Sequence, residues 1–219
     1  MLRIALEGKE PFVDSKDWDA RYSEHDLVWS AEPNVFVVET TAGLPAGRAL
    51  DIAGGEGRNA LWLADRGWHV TIVDFSAVAV GRAEQLWAQR EQQRGSLKGT
   101  IGDVTEGPWG SAEFDLVVLA YLHLPARQQR SALQHAARAV APGGHVVVVG
   151  HHTDNLAHGS GGPQDPALLY TPEDVVADLK GAGLAVMRAE TVTRQVRADD
   201  GPRSALDALV VAVRPALSS

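Results

Sequence analysis

Cysteine is absent from the chain, so neither a disulfide nor a thiolate metal site can form. No uninterrupted apolar run approaches the ~20 residues that a membrane-spanning helix requires. The first fourteen residues lack the basic segment followed by an apolar stretch that marks a secretion signal, so a cytoplasmic protein is expected. Basic charge is also in short supply. Lys and Arg total 20 against 28 Asp and Glu, a net charge of -8, which disfavours non-specific binding to nucleic acid or to an anionic membrane. A small-molecule partner is the expectation that remains, and nothing in the sequence sets the oligomeric state. No internal repeat is present, and the one biased segment is the Gly- and Pro-rich stretch 159–166.

What is present centres on residues 48–76. Leu50 and Ile52 flank Asp51 in a short apolar run, followed by Gly54, Gly55 and Gly57, where the chain turns without side chains. Leu61, Leu63 and Ala64 supply the apolar stripe of a helix that Gly67 ends. His69 to Val73 is a second buried strand, and it delivers Asp74 at its carboxyl end. This is a βαβ opening with a ligand site at the strand tips.

Two cofactor classes use such a site. Gly55-x-Gly57-x-x-Ala60 formally meets the dinucleotide spacing. However, Asp51 before the turn and Glu56 within it would repel a pyrophosphate in a partly desolvated cleft. S-adenosylmethionine carries a sulfonium and an ammonium and no phosphate, so acids around the turn suit it, and Asp74 would accept its ribose hydroxyls.

Asp51-x-Ala53-x-Gly55-x-Gly57, with Asp74 after the next strand, resembles motif I and the ribose acid of class I S-adenosylmethionine-dependent methyltransferases. The chain departs from the usual pattern in having Ala53 where glycine is common and Glu56 where a small polar residue is common. The resemblance implies that Asp51, Ala53, Gly54, Gly55, Gly57, Asp74, Phe75 and Ser76 line the cofactor. It extends to Gly102-Asp103-Val104, similar to the adenine-binding turn of that family. The alternative, read from the residues alone, is that Asp103 is a solvated turn acid.

Trp18-Asp-x-Arg21-Tyr22 and Trp29-Ser-x-Glu32-Pro33-Asn34 resemble the N-terminal cover of the small-molecule subgroup related to tellurite-resistance and thiopurine methyltransferases. This implies a helical cover over residues 15–45, with Arg21 as a fork for the methionine carboxylate and Trp29 beside the cofactor. The alternative is that these aromatics only pack the helix onto the core.

Phe114 to Ala120 is an apolar run that fits a central parallel strand buried on both faces. Ala120 ends it beside the cofactor. Tyr121-Leu122-His123-Leu124-Pro125 follows, similar to the segment that faces the transferred methyl in the family. Tyr121 and His123 are therefore the candidate catalytic residues, His123 as a base near neutral pH or as an orienting group. The Ala-Pro-Gly-Gly turn at 141–144 before another apolar strand strengthens the resemblance. Residues 151–170 form a long loop, expected to act as a lid. Its histidines show no recognised metal-ligand spacing, so no metal is expected.

Thr171-Pro172-Glu173-Asp174 starts a helix, and two strands joined by the turn cluster 198–202 close the chain as a hairpin. The expectation is a single domain over residues 1–219. The resemblance implies the α/β class, a Rossmann-like three-layer sandwich with a seven-stranded, mostly parallel sheet in the order 3-2-1-4-5-7-6 and a C-terminal antiparallel hairpin. The implied activity is methyl transfer from S-adenosylmethionine to a small nucleophile. The competing readings are an NAD(P)-dependent oxidoreductase and a non-catalytic S-adenosylmethionine-binding protein. Hydride transfer of the short-chain type would need a Tyr-x-x-x-Lys pair, which Tyr22, Tyr121 and Tyr170 all lack.

Overall fold

In a computed structural model, the described residues are Asp19, Tyr22, 32–198 and 201–216. Helix α1 (Val35–Thr41) starts from Asn34, whose side chain accepts from the Phe36 and Val37 amides, and leads into β1 (Arg48–Ile52). There follow α2 (Arg58–Asp65), β2 (His69–Asp74), α3 (Ala77–Ala88), β3 (Ser96–Ile101), β4 (Phe114–Ala120), α4 (Ala126–Ala139) and β5 (Val140–His151). A short helix α5 (Asn155–His158) and a 3-10 turn (Pro166–Leu168) lie in the next connection. The chain ends with α6 (Pro172–Leu179), β6 (Ala185–Ala198) and β7 (Gly201–Val213).

The seven strands form one sheet in the order 3-2-1-4-5-7-6, as the sequence predicts. Strands β1 to β5 pair in parallel, and β7 runs antiparallel to both β5 and β6. Because successive strand residues face opposite sides, Leu50, Ile52, Val117 and Leu119 join Leu133, Ala136, Val175 and Leu179 of α4 and α6 in one core. Ala49, Leu116 and Val118 join Phe36, Leu63, Val80 and Trp87 of α1, α2 and α3 in the other. Each fully buried Leu contributes about 1.5–3 kcal/mol relative to exposure. The sheet is thus fixed from both faces, and the carboxyl ends of β1, β2 and β4 stand side by side.

Three boundaries differ from expectation. The sequence suggests a helix from 77 to 94, but α3 ends at Ala88. Ser96 donates to the Trp68 carbonyl, and Gly95 sits where a Cβ would come 2.1 Å from that oxygen, so the chain must leave the helix early to pass beneath Trp68. β5 starts at Val140, not at His145. Gly143 (φ 81°) absorbs the irregularity, and Arg214 and residues 143–144 exchange backbone hydrogen bonds. β7 begins at Gly201, ahead of the expected Ala205, because the hairpin turn is tight.

Candidate functional site

The turn after β1 is held in left-handed backbone at Ala53 (φ 55°), Gly55 (φ 55°) and Gly57 (φ 82°). A Cβ on Gly54 would lie 2.8 Å from Ile72 Cγ1 and 3.0 Å from Asp51 Cγ, so only glycine fits there. Gly57 precedes α2 with no side-chain cap. The amino end of α2 therefore lies at the strand tips, with the Ala60 amide near Asp51.

Asp74 closes the turn from β2. Its Oδ2 accepts from the Gly55 amide at 2.9 Å and its Oδ1 from the Ser76 amide at 3.0 Å. A carboxylate has about four acceptor sites, so capacity remains for a ligand. Burial raises its pKa, the amides of Ser76, Gly55 and Phe75 oppose that rise, and Asp19 adds to it. Ser76 caps α3 and donates to Asp19 Oδ1 at 2.5 Å, which places Asp19 at the β2 tip. Arg21 and Trp29 lie outside the described residues.

Asp51 is 1% exposed, and among the described residues neither of its carboxylate oxygens has an aligned hydrogen-bond partner. Burial pushes its pKa up to about 7. Arg58 opposes that rise, nearby Asp74 adds to it, and the Ala60 amide opposes it weakly. Glu56 behaves differently from the expectation. It is buried but paired with Arg82 of α3 at 2.5 Å, so its charge is compensated inside the protein and does not bear on a ligand at the turn. The electrostatic case against a pyrophosphate thus rests on Asp51. Asp103 is exposed, and its Oδ1 accepts from the Thr105 amide and hydroxyl, while Val104 is buried. Trp109, for which the sequence suggests no role, packs where a Cβ on Gly102 would lie, 2.2 Å from its Cη2.

The tips of β4, β5 and β7 carry a second group. Tyr121, at φ 60°, follows Ala120 and bonds its amide to the Val149 carbonyl. Its hydroxyl donates to Asp207 Oδ2 at 2.7 Å and accepts from Asn34 Nδ2 at 3.1 Å and Arg194 Nε at 2.8 Å. Burial is the main reason its pKa is raised. His123 Nε2 accepts from the His151 amide at 3.0 Å, and burial followed by the neighbouring His151 pulls its pKa down to about 3. Both expected catalytic groups therefore have their polar atoms engaged by the protein. A neutral His123 with its acceptor nitrogen occupied does not suit a general base, and a hydroxyl with three partners has no free donor. They are better described as positioning residues.

Sequence reasoning missed Asp207, which is fully buried and also accepts from Arg194 Nε at 3.0 Å. Burial alone would raise its pKa, but His151, Arg194 and the Tyr121 hydroxyl together hold it below the usual carboxylate range. Arg58 was also missed. Its guanidinium lies 5.4 Å from the Tyr121 ring centroid, and its pKa is lowered chiefly by burial. A carboxylate inside the apolar run 205–213 was the available signal for Asp207, since charges in buried strands need partners.

The root of the loop after β5 is pinned. His151, His152 and Asn155 are buried, and Asn155 bonds to the Gly161 carbonyl and the Leu206 amide. Among the described residues no cluster of His, Asp and Glu has metal-binding geometry, and no helix is long and apolar enough to cross a membrane. A depression of about 970 Å³ at the opposite end of the strands, bordered by Ala112, Arg138, Lys180 and Arg214, lies away from all these groups.

Residues 49–144 match the family described as a methyltransferase domain. The chain is 30% identical over 115 residues to demethylmenaquinone methyltransferase of Renibacterium salmoninarum, covering 52% of this chain and 45% of that protein. It therefore spans about half the length of the curated relatives it matches. Among solved structures, one concerned with converting a disulfide bond into a thioacetal group during echinomycin biosynthesis superposes with TM-score 0.74, 19% identity and coverage of 94% and 93% of the two chains. TehB from Haemophilus influenzae superposes with TM-score 0.67, 15% identity and coverage of 91% and 67%.

Proposed function

We propose that this chain, whose residues 49–144 carry a methyltransferase domain on the class I fold, transfers a methyl group from S-adenosylmethionine to a small-molecule nucleophile. The observation that carries this reading is Asp51: a buried carboxylate at the tip of β1, beside the glycine turn, with neither oxygen in an aligned hydrogen bond among the described residues. Arg58 offsets its burial only in part, and the ammonium and sulfonium of S-adenosylmethionine suit such a group where a pyrophosphate does not. When bound, this cosubstrate supplies an electrophilic methyl on sulfur.

The residues do the rest. Asp74 accepts the ribose hydroxyls with its remaining lone pairs. Ala53, Gly54, Gly55 and Gly57 let the aminoacyl end approach the backbone, with Phe75, Ser76, Asp103 and Val104 around the nucleoside and Ala120 near the methyl. Arg58, next to the turn, offers a fork for the methionine carboxylate, a role Arg21 would share. Tyr121 and His123 hold the acceptor end in place, and the protein contributes chiefly orientation and exclusion of water. Residues 156–168 act as the lid, since their root at 151–155 is anchored. The net charge of -8 favours a small acceptor over nucleic acid.

Thermal denaturation with S-adenosylhomocysteine and with NAD tests this reading. Ligand at ~100 times its dissociation constant adds about 2.7 kcal/mol to the folded state, which raises the midpoint by roughly 5–10 °C. S-adenosylhomocysteine is expected to give this shift and NAD none; the reverse result rejects the proposal in favour of an oxidoreductase.

A further inference from the structure

The Asp207 carboxylate has one oxygen on Tyr121 and Arg194, and its other oxygen, Oδ1, lies 3.2 Å from His151 Nδ1. Neither of these last two atoms has an aligned hydrogen-bond partner. A small rotation of the ring would close that bond and fix Nδ1 as the protonated nitrogen, leaving Nε2 as an acceptor. His151 ends β5, next to β4 in the sheet, so it stands on the acceptor side of the methyl position implied by the glycine turn. His123 stacks on it at 5.3 Å with planes 16° apart, and Tyr121 lies 5.0 Å away. Both keep the ring upright, and their own polar atoms are occupied.

What covers Nε2 is the loop. A Cβ on Gly162 would come 2.5 Å from His151 Cδ2 and 2.8 Å from Nε2, and Gly161 and Gly162 both have left-handed backbone (φ 79° and 81°). Only a glycine backbone can lie against this edge of the imidazole. Movement of the same segment would expose the nitrogen to an acceptor.

From this geometry we infer that His151, oriented by Asp207 and gated by Gly162, is the proton acceptor of the reaction, and that the acceptor is an aromatic hydroxyl compound. The inference rests on the reading that S-adenosylmethionine binds the glycine turn. An aryl hydroxyl is a weak nucleophile until its proton leaves, and the rings of Tyr121 and His123 beside His151, with Tyr170 next to His123, form an aromatic cluster that suits a flat ring. In the step, the aryl oxygen forms a bond to the methyl carbon and the carbon–sulfur bond breaks. The electron pair of that bond returns to sulfur, leaving a neutral thioether, and the hydroxyl proton passes to His151 Nε2 and then to solvent.

The test uses the full chain, labelled S-adenosylmethionine, 2-naphthol as the hydroxyl probe, and 4-nitrothiophenol as a probe already ionised at neutral pH. His151→Asn and His151→Gln both keep the backbone amide that His123 accepts. Each is expected to lower the rate with 2-naphthol by ~100-fold or more and to change the rate with the thiolate by less than about threefold, with the thermal shift from S-adenosylhomocysteine unaltered. Equal losses on both probes would make His151 a structural residue and overturn the inference. So would a parent chain that binds S-adenosylhomocysteine yet does not methylate 2-naphthol. A parent that fails to bind S-adenosylhomocysteine instead rejects the underlying reading of the turn.

Discussion

The tips of β1 and β2 and the tips of β4, β5 and β7 are neighbours in one sheet, yet they treat polar groups in opposite ways. At the first, among the described residues, Asp51 has no aligned hydrogen-bond partner and Asp74 accepts from the Gly55 and Ser76 amides. At the second, the Tyr121 hydroxyl has three partners and Asp207 binds Tyr121 and Arg194 through a single oxygen. On the proposed reading the first region receives a cation from outside, whereas the second pairs the Arg194 cation and the Tyr121 hydroxyl with Asp207 internally and leaves the Oδ1 edge of that carboxylate to His151. Charge removed from the first should therefore relieve the free protein, and charge removed from the second should damage it.

The largest effect is expected at Asp207. Asp207→Ala leaves the Arg194 cation and the Tyr121 hydroxyl without their shared acceptor. Stability measured by urea unfolding should fall by about 3–5 kcal/mol. A loss below about 1 kcal/mol would show that the second region is not self-balanced.

Asp51 gives the contrasting result, and its sign depends on pH. Burial raises its carboxyl from 3.8 to about 7, so between those values the folded chain holds a proton that the unfolded chain has lost. Its contribution to stability is full below about pH 4 and is lost as pH rises to 7, at about 1.4 kcal/mol for each pH step of one crossed. His123 runs the other way. Burial and His151 lower its pKa from 6.5 to about 3, so its contribution is full above 6.5 and is lost as pH falls. Asp74 moves with Asp51, and Asp207 acts only below its ordinary carboxylate range. The difference between the parent and Asp51→Asn isolates the one group. Relative to the variant, the free parent should lose a few kcal/mol between pH 4 and pH 8. A difference that stays flat across this range would mean that Asp51 is solvated or paired.

These two regions also differ in how far the sequence discloses them. The glycine turn, Asp51 and Asp74 belong to one contiguous βαβ unit, where spacing and periodicity report geometry directly, and the strand order comes from the resemblance to the methyltransferase family, to which the final hairpin contributes. The second region has no such local signature. Tyr121 meets Asp207 across 86 positions, Asn34 across 87 and Arg194 across 73, and only the packed sheet brings them together. Tyr121 and His123 were visible as residues near the methyl position, but their occupied polar atoms were not. Glu56 was misjudged for the same reason, since its partner Arg82 lies on the following helix.

Binding should sharpen the contrast at a smaller scale. Asp74→Ala removes the charge-assisted acceptor for two ribose hydroxyls, and affinity for S-adenosylhomocysteine should fall by ~1.5–3 kcal/mol, roughly 10- to 150-fold. Asp74→Asn retains one acceptor and should cost less. Calorimetric titration of the folded variants measures both, and an Asp74→Ala affinity equal to that of the parent would place the ribose elsewhere.

The smallest effect concerns backbone and has no charge in it. Ala53 and Tyr121 close the two regions with φ of 55° and 60°, a conformation that L residues resist. At Tyr121 the side chain is held by Asn34, Asp207 and Arg194, which explains why an aromatic is tolerated there. Ala53 packs against the core of α4 and α6 only in part, so its methyl offers little to set against the strain. Left-handed backbone costs a non-glycine residue about 1–2 kcal/mol. Replacing alanine by glycine gives back roughly half of that by increasing the freedom of the unfolded chain. Ala53→Gly should accordingly raise stability by about 0.5–1 kcal/mol, a midpoint increase of roughly 1–4 °C for a chain of this length. If the substitution destabilises the free protein, the Ala53 methyl contributes packing that outweighs its strain, and the turn is set by side-chain contact as much as by glycine.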